Sequence, residues 1–177
     1  MTDELTPSQY VVLGLIARNG PMTPYELKGR IEQSVENYWP IPHAQLYRDP
    51  PRLAELGLLT ERAEEHGRRR RVFHLTDAGR EALHRWLADP TSSPPETRNP
   101  ALLKLTFTDL ASPAEVAALA RTQAARHRQW ADAYRQRLAD LDPADPATAS
   151  RTRLLELGIR HEQNYVDFWE TLAAESA

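Results

Sequence analysis

Apolar residues recur every three or four positions in two stretches near the start of the chain, which is the spacing of amphipathic helices. The first stretch carries Tyr10, Leu13, Ile16 and Ala17. The second carries Leu27, Ile31 and Val35 and extends to about Tyr38. Each starts with a threonine and a proline, and Gln9 or Glu26 stands three residues after the threonine, the pattern of a capped helix start. The sequence therefore predicts two helices, the first ending at Asn19-Gly20-Pro21.

A third helical segment and a polar hairpin follow. The segment covers residues 43–56, and Gly57 suits the left-handed position after a helix. Strand-like runs at 58–62 and 71–75 flank a polar turn, and Thr76-Asp77 opens another helix. This order of elements predicts a mainly α fold whose N-terminal part is a winged helix-turn-helix domain with a two-stranded wing.

The second half of the chain predicts long helices. Residues 89–100, DPTSSPPETRNP, are typical of a linker, and a short helix at 101–109 precedes a long one capped by Ser112. Along this helix and along the last one, a stripe of residues spaced alternately three and four apart forms a seam that could pack against another helix. Residues 142–149 separate the two helices. The repeats favour a helical hairpin or a coiled-coil association, although polar seam members argue against a continuous dry coiled coil.

Positive charge is concentrated at the tip of the predicted hairpin. The formal net charge of −3 gives no general support for nucleic-acid binding, so such binding would depend on a local cluster. Arg68, Arg69, Arg70 and Arg71 are consecutive at the predicted hairpin tip, with no acidic residue between His66 and His74. Four arginines suit a phosphate chain or a narrow minor groove, and a solvated charged turn is the alternative.

Several chemistries lack the residues they need. The chain has no cysteine, and its six histidines contain no i,i+3 or i,i+4 pair for a helical metal site. No GxSxG motif and no phosphate-binding glycine loop occurs. We therefore expect no metal, no cofactor and no enzymatic activity. The acidic start MTDELTPSQY, together with the lack of a membrane-length apolar run, predicts a cytoplasmic protein with no membrane partner.

Short stretches along the chain match one family in order and spacing. They are Val12-Leu13-Gly14-Leu15-Ile16-Ala17, Gly20-Pro21, Tyr25-Glu26-Leu27, Gln45-Leu46-Tyr47, Arg52-Leu53-Ala54-Glu55-Leu56-Gly57-Leu58-Leu59, Gly67-Arg68 and Val72-Phe73-His74-Leu75-Thr76-Asp77-Ala78-Gly79. These stretches resemble the PadR family of bacterial regulators. Leu102-Leu103-Lys104-Leu105 and the two long helices are similar to the subgroup with a Vir-type C-terminal domain.

The resemblance implies a homodimer held by the C-terminal helices and bound to a pseudo-palindromic operator in double-stranded DNA, usually as a repressor. It also implies that a small aromatic or drug-like effector, or another signal, releases the DNA. We therefore expect a DNA-binding domain at 1–89, a linker at 90–100, and a helical dimerisation and effector domain at 101–177.

The expected DNA contacts lie on three elements. The third segment supplies base contacts, since Gln45 can pair with adenine while Arg48 and Arg52 reach guanine or phosphate. The resemblance assigns Tyr47 to the DNA backbone. The phosphate contacts expected near the start of the second helix are Tyr25 and Lys28. The four arginines of the hairpin complete the set.

One departure from the family is the stretch Tyr47-Arg48-Asp49-Pro50-Pro51-Arg52-Leu53, where the family commonly continues Tyr-Pro-x-Leu-x-x-Leu. A proline in a helix interior costs about 3 kcal/mol or more. We expect instead a turn over 44–48 and a new helix that Asp49 caps. Such a break would weaken base reading and shift affinity to the wing. It therefore leaves an alternative function, a winged-helix dimer acting mainly in protein interaction.

Aromatic side chains could line an effector pocket, because flat ring faces stack on planar ligands. The candidates are Trp39, Trp130, Tyr134, Tyr165 and Trp169. Core packing along the helix seams is the alternative for most of them. Trp130 and Trp169 are preferred because they lie on the predicted dimerisation helices, and His127 beside Trp130 is expected to be a hydrogen-bonded core residue.

Overall fold

The computed structural model describes residues 5–35, 38–63, 70–94, 96–145 and 147–176. Contacts divide the chain into two compact units, Met1–Ser93 and Pro94–Ala177. The elements in chain order are α1 (Pro7–Asn19), α2 (Pro24–Ser34), α3 (His43–Glu55), β1 (Leu59–Ala63), β2 (Arg71–Leu75), α4 (Asp77–Ala88), α5 (Pro100–Leu105), a 3₁₀ turn (Thr108–Leu110), α6 (Pro113–Ala139) and α7 (Thr148–Glu175). The predicted fold class is confirmed.

The N-terminal unit is built on the helical spacing that the sequence shows. α1 buries Leu13 and Ile16, α2 buries Leu27 and Ile31, and all four join one apolar core with residues of α3 and the sheet. At the start of α2 the Thr23 N–H donates to Glu26 Oε2 at 2.8 Å, and the Glu26 N–H donates to Thr23 Oγ1 at 3.3 Å. These reciprocal bonds satisfy N–H groups that have no partner inside the helix.

The sheet ties the loop before α2 to the hairpin. β1 and β2 are antiparallel with Leu59 opposite Leu75, and Met22 adds a two-way backbone bridge to Phe73 at 3.1 and 2.9 Å. Gly57 has a φ of +73°, which confirms the predicted left-handed end of α3. The start of α2 and the base of the wing are therefore held side by side.

Two predicted helices are shorter than expected. α2 ends at Ser34 rather than near Tyr38, and the Ser34 hydroxyl donates to the Arg30 carbonyl at 2.6 Å. The helix expected at 101–109 ends at Leu105 and gives way to the 3₁₀ turn. Thr108 donates its hydroxyl to the Leu105 carbonyl at 3.0 Å there. Short polar side chains compete with the helical hydrogen-bond pattern in this way.

The C-terminal unit is an antiparallel pair of long helices with α5 packed against it. Of the two alternatives left open by the seams, the structure contains the hairpin of α6 and α7 within one chain. Ala120 and Ala124 let α6 approach the fully buried Trp169 of α7, which also contacts α5. His127 is buried and bonded to Glu162 with 2.5 Å between Nδ1 and Oε2, so the expectation of a hydrogen-bonded core histidine is confirmed.

Candidate nucleic-acid interface

The helix that would read DNA is α3, and its inward face is apolar except for one carboxylate. Leu46, Pro50 and Leu53 are buried in the core of the N-terminal unit, and Asp49 lies on the same face. Residues at this spacing share one side of a helix, so positions 44, 47, 48, 51 and 52 lie on the outer side. Packing on α1 and α2 therefore presents that outer side to solvent.

The predicted break in α3 is wrong. The helix runs without interruption from His43 to Glu55 with Pro50 and Pro51 inside it, and Asp49 is not a cap. Each interior proline removes one helical hydrogen bond and costs about 3 kcal/mol or more. Burial of each large apolar side chain on this helix contributes about 1.5–3 kcal/mol in return. Burial of this apolar face and the bond from Ser8 to Asp49 offset the local cost in the folded unit, and the premise of weakened base reading is removed.

The exposed face of α3 carries the predicted base-reading residues. The Arg48 side chain is 72% exposed, and Tyr47 is exposed with its ring 5.0 Å from that of His43. Arg52 is exposed and donates to Glu55 Oε2 at 3.0 Å, while Gln45 is half-buried. The four side chains occupy neighbouring turns of one helix, as a reader of a single groove requires.

The two predicted phosphate contacts of α2 are both accessible. Tyr25 is 77% exposed at the second position of the helix. The Lys28 ammonium lies 3.7 Å from a carboxylate oxygen of Glu32, an i,i+4 pair at the surface. Exposed pairs of this kind are worth less than about 1 kcal/mol, so a phosphate can compete for the lysine.

The wing divides the four predicted arginines. Arg68 and Arg69 lie outside the described residues. Arg70 is exposed, whereas Arg71 makes two hydrogen bonds of 2.5 Å to the Glu61 carboxylate and lies 5.7 Å from the centre of the Phe73 ring. Arg71 is therefore already engaged by a carboxylate on the neighbouring strand, which the sequence reasoning did not anticipate.

The ion pair of the wing shifts both groups. Hydrogen bonding to Arg71 lowers the pKa of Glu61, and the same bonds raise the pKa of Arg71. A lowered folded-state pKa means that the pair stabilises the wing above the unfolded-state pKa of Glu61 and loses this effect as the pH falls through the folded-state value. Glu61 faces Phe73 across the ladder, so alternation would have placed Glu61 and Arg71 on one face of the sheet.

Charges of α2 and the wing also meet at Glu26. The Thr23 backbone N–H and hydroxyl lower the pKa of Glu26, and the charge of Arg70 adds to the effect. Arg70 is therefore close enough to the start of α2 to interact with it. The Met22–Phe73 bridge likewise holds the start of α2, which carries Tyr25 and Lys28, beside the base of the wing.

Asp49 is the site residue that sequence reasoning misplaced. It is 3% exposed, and the Ser8 hydroxyl of α1 donates to its Oδ2 at 2.8 Å. Its Oδ1 lies 3.9 Å from Arg48 Nε. The spacing of Asp49 from Leu46 and Leu53 would have placed it on the inner face of a continuous helix, but the expected break concealed this.

One of the aromatic effector candidates belongs to the N-terminal unit and four belong to the C-terminal unit. Trp39 lies in the N-terminal unit and is 45% exposed. The Tyr134 ring covers Gly158, where a Cβ would lie 3.1 Å away, and Trp169 is fully buried with an indole N–H that has no partner among the described residues. For Tyr134 and Trp169 the structure shows core packing.

Tyr165 and Trp130 belong to one aromatic cluster, in which Trp130 is exposed and Tyr165 is half-buried. The Tyr165 ring stacks on His127 at 4.5 Å, and Trp130 meets the same imidazole edge-on at 5.2 Å. Tyr165 also borders an apolar cavity of about 260 Å³ in the C-terminal unit. The other lining residues of this cavity are Leu102, Leu105, Asn164 and Phe168.

The described residues contain neither a metal-binding cluster nor a membrane-length helix. No group of three or more histidine or acidic residues there could hold a metal ion. Within the same residues, no helix has the length and apolar character that crossing a membrane demands.

Two family models match the chain. The Transcriptional regulator PadR-like family model matches residues 12–85, and the Virulence activator alpha C-term model matches residues 97–175. A probable transcriptional regulator of Mycobacterium tuberculosis is 30% identical over an alignment of 165 residues, and the match covers 84% of this chain and 87% of that protein. The chain belongs to the PadR-like family of transcriptional regulators. The resemblance predicted from the sequence is confirmed.

Relatives with solved structures share the fold over nearly the whole chain. The negative transcriptional regulator PadR of Bacillus subtilis is 26% identical over 174 residues, 94% of this chain and 95% of its own. Its crystal structure with operator DNA matches at a TM-score of 0.86 and 23% identity, covering 97% of this chain and 100% of that one. Its complex with p-coumaric acid matches at 0.80 and 23%, covering 95% and 97%. The Vibrio cholerae virulence activator AphA matches at 0.61 and 25%, covering 94% and 96%.

Proposed function

We propose that this PadR-like regulator binds a pseudo-palindromic operator as a homodimer and represses transcription. The observation that carries the proposal is the exposed face of an uninterrupted α3, on which Tyr47, Arg48 and Arg52 lie together. A second helix of a helix-turn-helix enters the major groove, and a dimer reads two half-sites about one helical turn apart. The B. subtilis relative, whose structure with operator DNA has the same fold, supports this use of the helix.

Each exposed group has a role that its chemistry allows. Arg48 can bind the O6 and N7 atoms of guanine, and the partly exposed Gln45 can pair with adenine. Tyr47, Tyr25 and Lys28 would contact phosphates and set the register without reading sequence. The arginines of the wing would supply affinity for any sequence and make binding depend on salt.

The homodimer would form through the C-terminal helices. Large apolar side chains are exposed on that unit, which is the property of a surface that a partner covers. The most exposed of them are Leu103, Phe107, Leu110, Leu157 and Phe168. A second copy of the chain is the partner that the family's operator binding requires.

Release of the DNA by a small planar aromatic ligand is the regulatory part of the proposal. The B. subtilis relative is a negative regulator, and one of its crystal structures contains p-coumaric acid. In the C-terminal unit Trp130 is 45% exposed, and the half-buried Tyr165 borders the apolar cavity. An aromatic acid could stack on such rings.

The alternative of a protein-interaction module has lost its support. It depended on a broken recognition helix, and α3 is continuous. We therefore retain the DNA-binding proposal alone.

The test is a binding titration with the full chain. A short duplex enriched by the protein from a random-sequence pool is compared with a shuffled duplex by fluorescence anisotropy, over a salt series and with p-coumaric acid as a probe. We expect the enriched duplex to bind at least about 10³-fold more tightly, and both affinities to fall steeply with salt.

Two outcomes would count against the proposal. Equal affinity for both duplexes would show that the protein does not read sequence. Unchanged binding over a panel of planar aromatic acids would remove the effector part and leave operator binding in place.

A further inference from the structure

Asp49 carries a buried carboxylate next to the residue that is best placed to read a base. Its side chain is 4% exposed, whereas that of the adjacent Arg48 is 72% exposed. The carboxylate receives the Ser8 hydroxyl on Oδ2 at 2.8 Å and faces Arg48 Nε with Oδ1 at 3.9 Å. One carboxylate thus bridges the interior of the N-terminal unit and an exposed guanidinium.

Hydrogen bonds from the start of α1 hold the Asp49 carboxylate in place. Ser8 is buried at the start of α1, and its Oγ lies 3.0 Å from Thr6 Oγ1. Because the Ser8 proton points at the carboxylate, the Thr6 hydroxyl donates to Ser8 Oγ. The chain of groups Thr6, Ser8 and Asp49 fixes the position of Oδ1.

This fixed carboxylate lies where α3 lacks its own restraints. Pro50 and Pro51 have no N–H, so the carbonyls of Leu46 and Tyr47, the two residues before Arg48, receive no α-helical hydrogen bond. Arg48 borders an open cleft of about 480 Å³ together with Thr6, Gln9 and Arg52. A long arginine in such a place loses several rotamers when it binds a base edge.

We propose that Asp49 is a positioning residue for sequence reading, which aligns the Arg48 guanidinium for a guanine edge and is anchored to α1 through Ser8. The contact is an ionic attraction, and it limits the directions in which the guanidinium can extend, so that Arg48 loses less entropy when it binds a base edge. Asp49 does not touch DNA, because its carboxylate is buried. This inference rests on the proposed function, since it assumes that α3 reads a duplex.

The experiment is a double-mutant cycle on DNA binding by the full chain. Asp49→Asn, Arg48→Ala and the double variant are titrated with the duplex enriched by the wild type and with its shuffled counterpart. We expect Asp49→Asn to weaken binding to the enriched duplex about tenfold in the wild type, and less than about twofold when Arg48 is already alanine. Binding to the shuffled duplex changes by less than about twofold in both backgrounds.

A second readout identifies the base. Single-base-pair substitutions across the enriched duplex should show that Asp49→Asn and Arg48→Ala lose discrimination at the same position. A residue that only stabilises α3 would lower affinity at every position alike. Glu55→Gln is the matched control, because it neutralises another carboxylate of α3, one that pairs with Arg52. The fold-change in DNA affinity that it causes should be the same with Arg48 and with alanine at position 48.

Folding of the variants is checked by thermal unfolding. Should Asp49→Asn not fold, Ser8→Ala replaces it in the cycle, because it frees the carboxylate from α1 and keeps its charge. Equal effects of the Asp49 or Ser8 variant with and without Arg48 would overturn the inference. Failure of the wild type to prefer the enriched duplex would instead overturn the proposed function.

Discussion

Gly79 occupies the third position of α4, where the chain has no space for a side chain. A Cβ there would lie 2.1 Å from the Leu58 carbonyl oxygen and 2.9 Å from Leu75 Cδ1. The same carbonyl accepts the Thr76 N–H at 3.2 Å and the Thr76 hydroxyl at 2.9 Å. This close approach joins α4 to the segment before β1 and so orients the wing.

Replacing Gly79 by alanine should destabilise the N-terminal unit. The methyl group must push apart backbone that two hydrogen bonds from Thr76 hold together, and we expect the free energy of unfolding to fall by about 3 kcal/mol. Gly14→Ala is the control, since its Cβ would meet no atom within 4 Å and α1 should gain up to about 1 kcal/mol. Urea unfolding followed by circular dichroism measures both. Equal stability of the two variants would contradict the close approach.

At the scale of elements, the wing combines a basic hairpin with an internal acid. Arg71 is held by Glu61 on β1, so the cluster of four arginines does not present four free charges. The pair is exposed at the surface, where ion pairs are worth less than about 1 kcal/mol. If the wing binds DNA as proposed, Glu61 would reduce the attraction of the wing for phosphates more than it stabilises the hairpin.

Removing the charge of Glu61 should strengthen DNA binding without changing its sequence preference. With Glu61→Gln, Arg71 becomes available to a phosphate, and we expect affinity for enriched and shuffled duplexes to rise about two- to fivefold. The slope of log affinity against log salt should steepen by about 0.9, the value of one phosphate contact. Anisotropy titrations over a salt series measure both quantities.

The control for this effect is Glu96→Gln. It changes the net charge equally but removes an acid that pairs with Arg98 in the stretch before α5. We expect its salt slope to match that of the wild type. A steeper slope for this control as well would mean that net charge, rather than release of Arg71, causes the effect.

At the scale of the whole molecule, the proposed binding to a pseudo-palindromic operator needs two copies of α3. The C-terminal unit exposes Phe107 and Leu110, which are 56% and 82% exposed. Both belong to the segment between α5 and α6, where two threonines interrupt the helical pattern. We regard this segment as part of the surface that the second copy covers.

Charge at that segment should separate the copies. The double variant Phe107→Glu and Leu110→Glu would bury two carboxylates in an apolar interface. We expect the dissociation constant of the dimer to rise at least about tenfold. Leu87→Glu is the control, because Leu87 is similarly exposed, at 65%, but lies on α4 of the N-terminal unit. Sedimentation velocity measures the oligomeric state. A dimer that tolerates the double variant as well as the control would place the interface elsewhere.

The order of elements and the helix starts could be predicted because local interactions decide them. The Thr23 and Ser112 caps bond to residues three positions away, and the left-handed Gly57 depends on its own backbone. Seam residues such as His127 follow from a period of 3.6. These features need no knowledge of how distant parts of the chain pack.

The continuity of α3 and the surroundings of its reading face were decided only by tertiary structure. Pro50 and Pro51 disfavour a helix locally, yet the apolar face of α3 is buried against α1 and α2, and Asp49 bonds to Ser8, 41 residues away. Arg71 likewise belongs to a basic run in the sequence but finds Glu61 across the ladder. The sequence by itself therefore determined which elements form and where most of them begin. Packing between residues far apart in the chain decided which side chains are held and which remain exposed, because burial and long-range hydrogen bonds outweigh a local preference of a few kcal/mol.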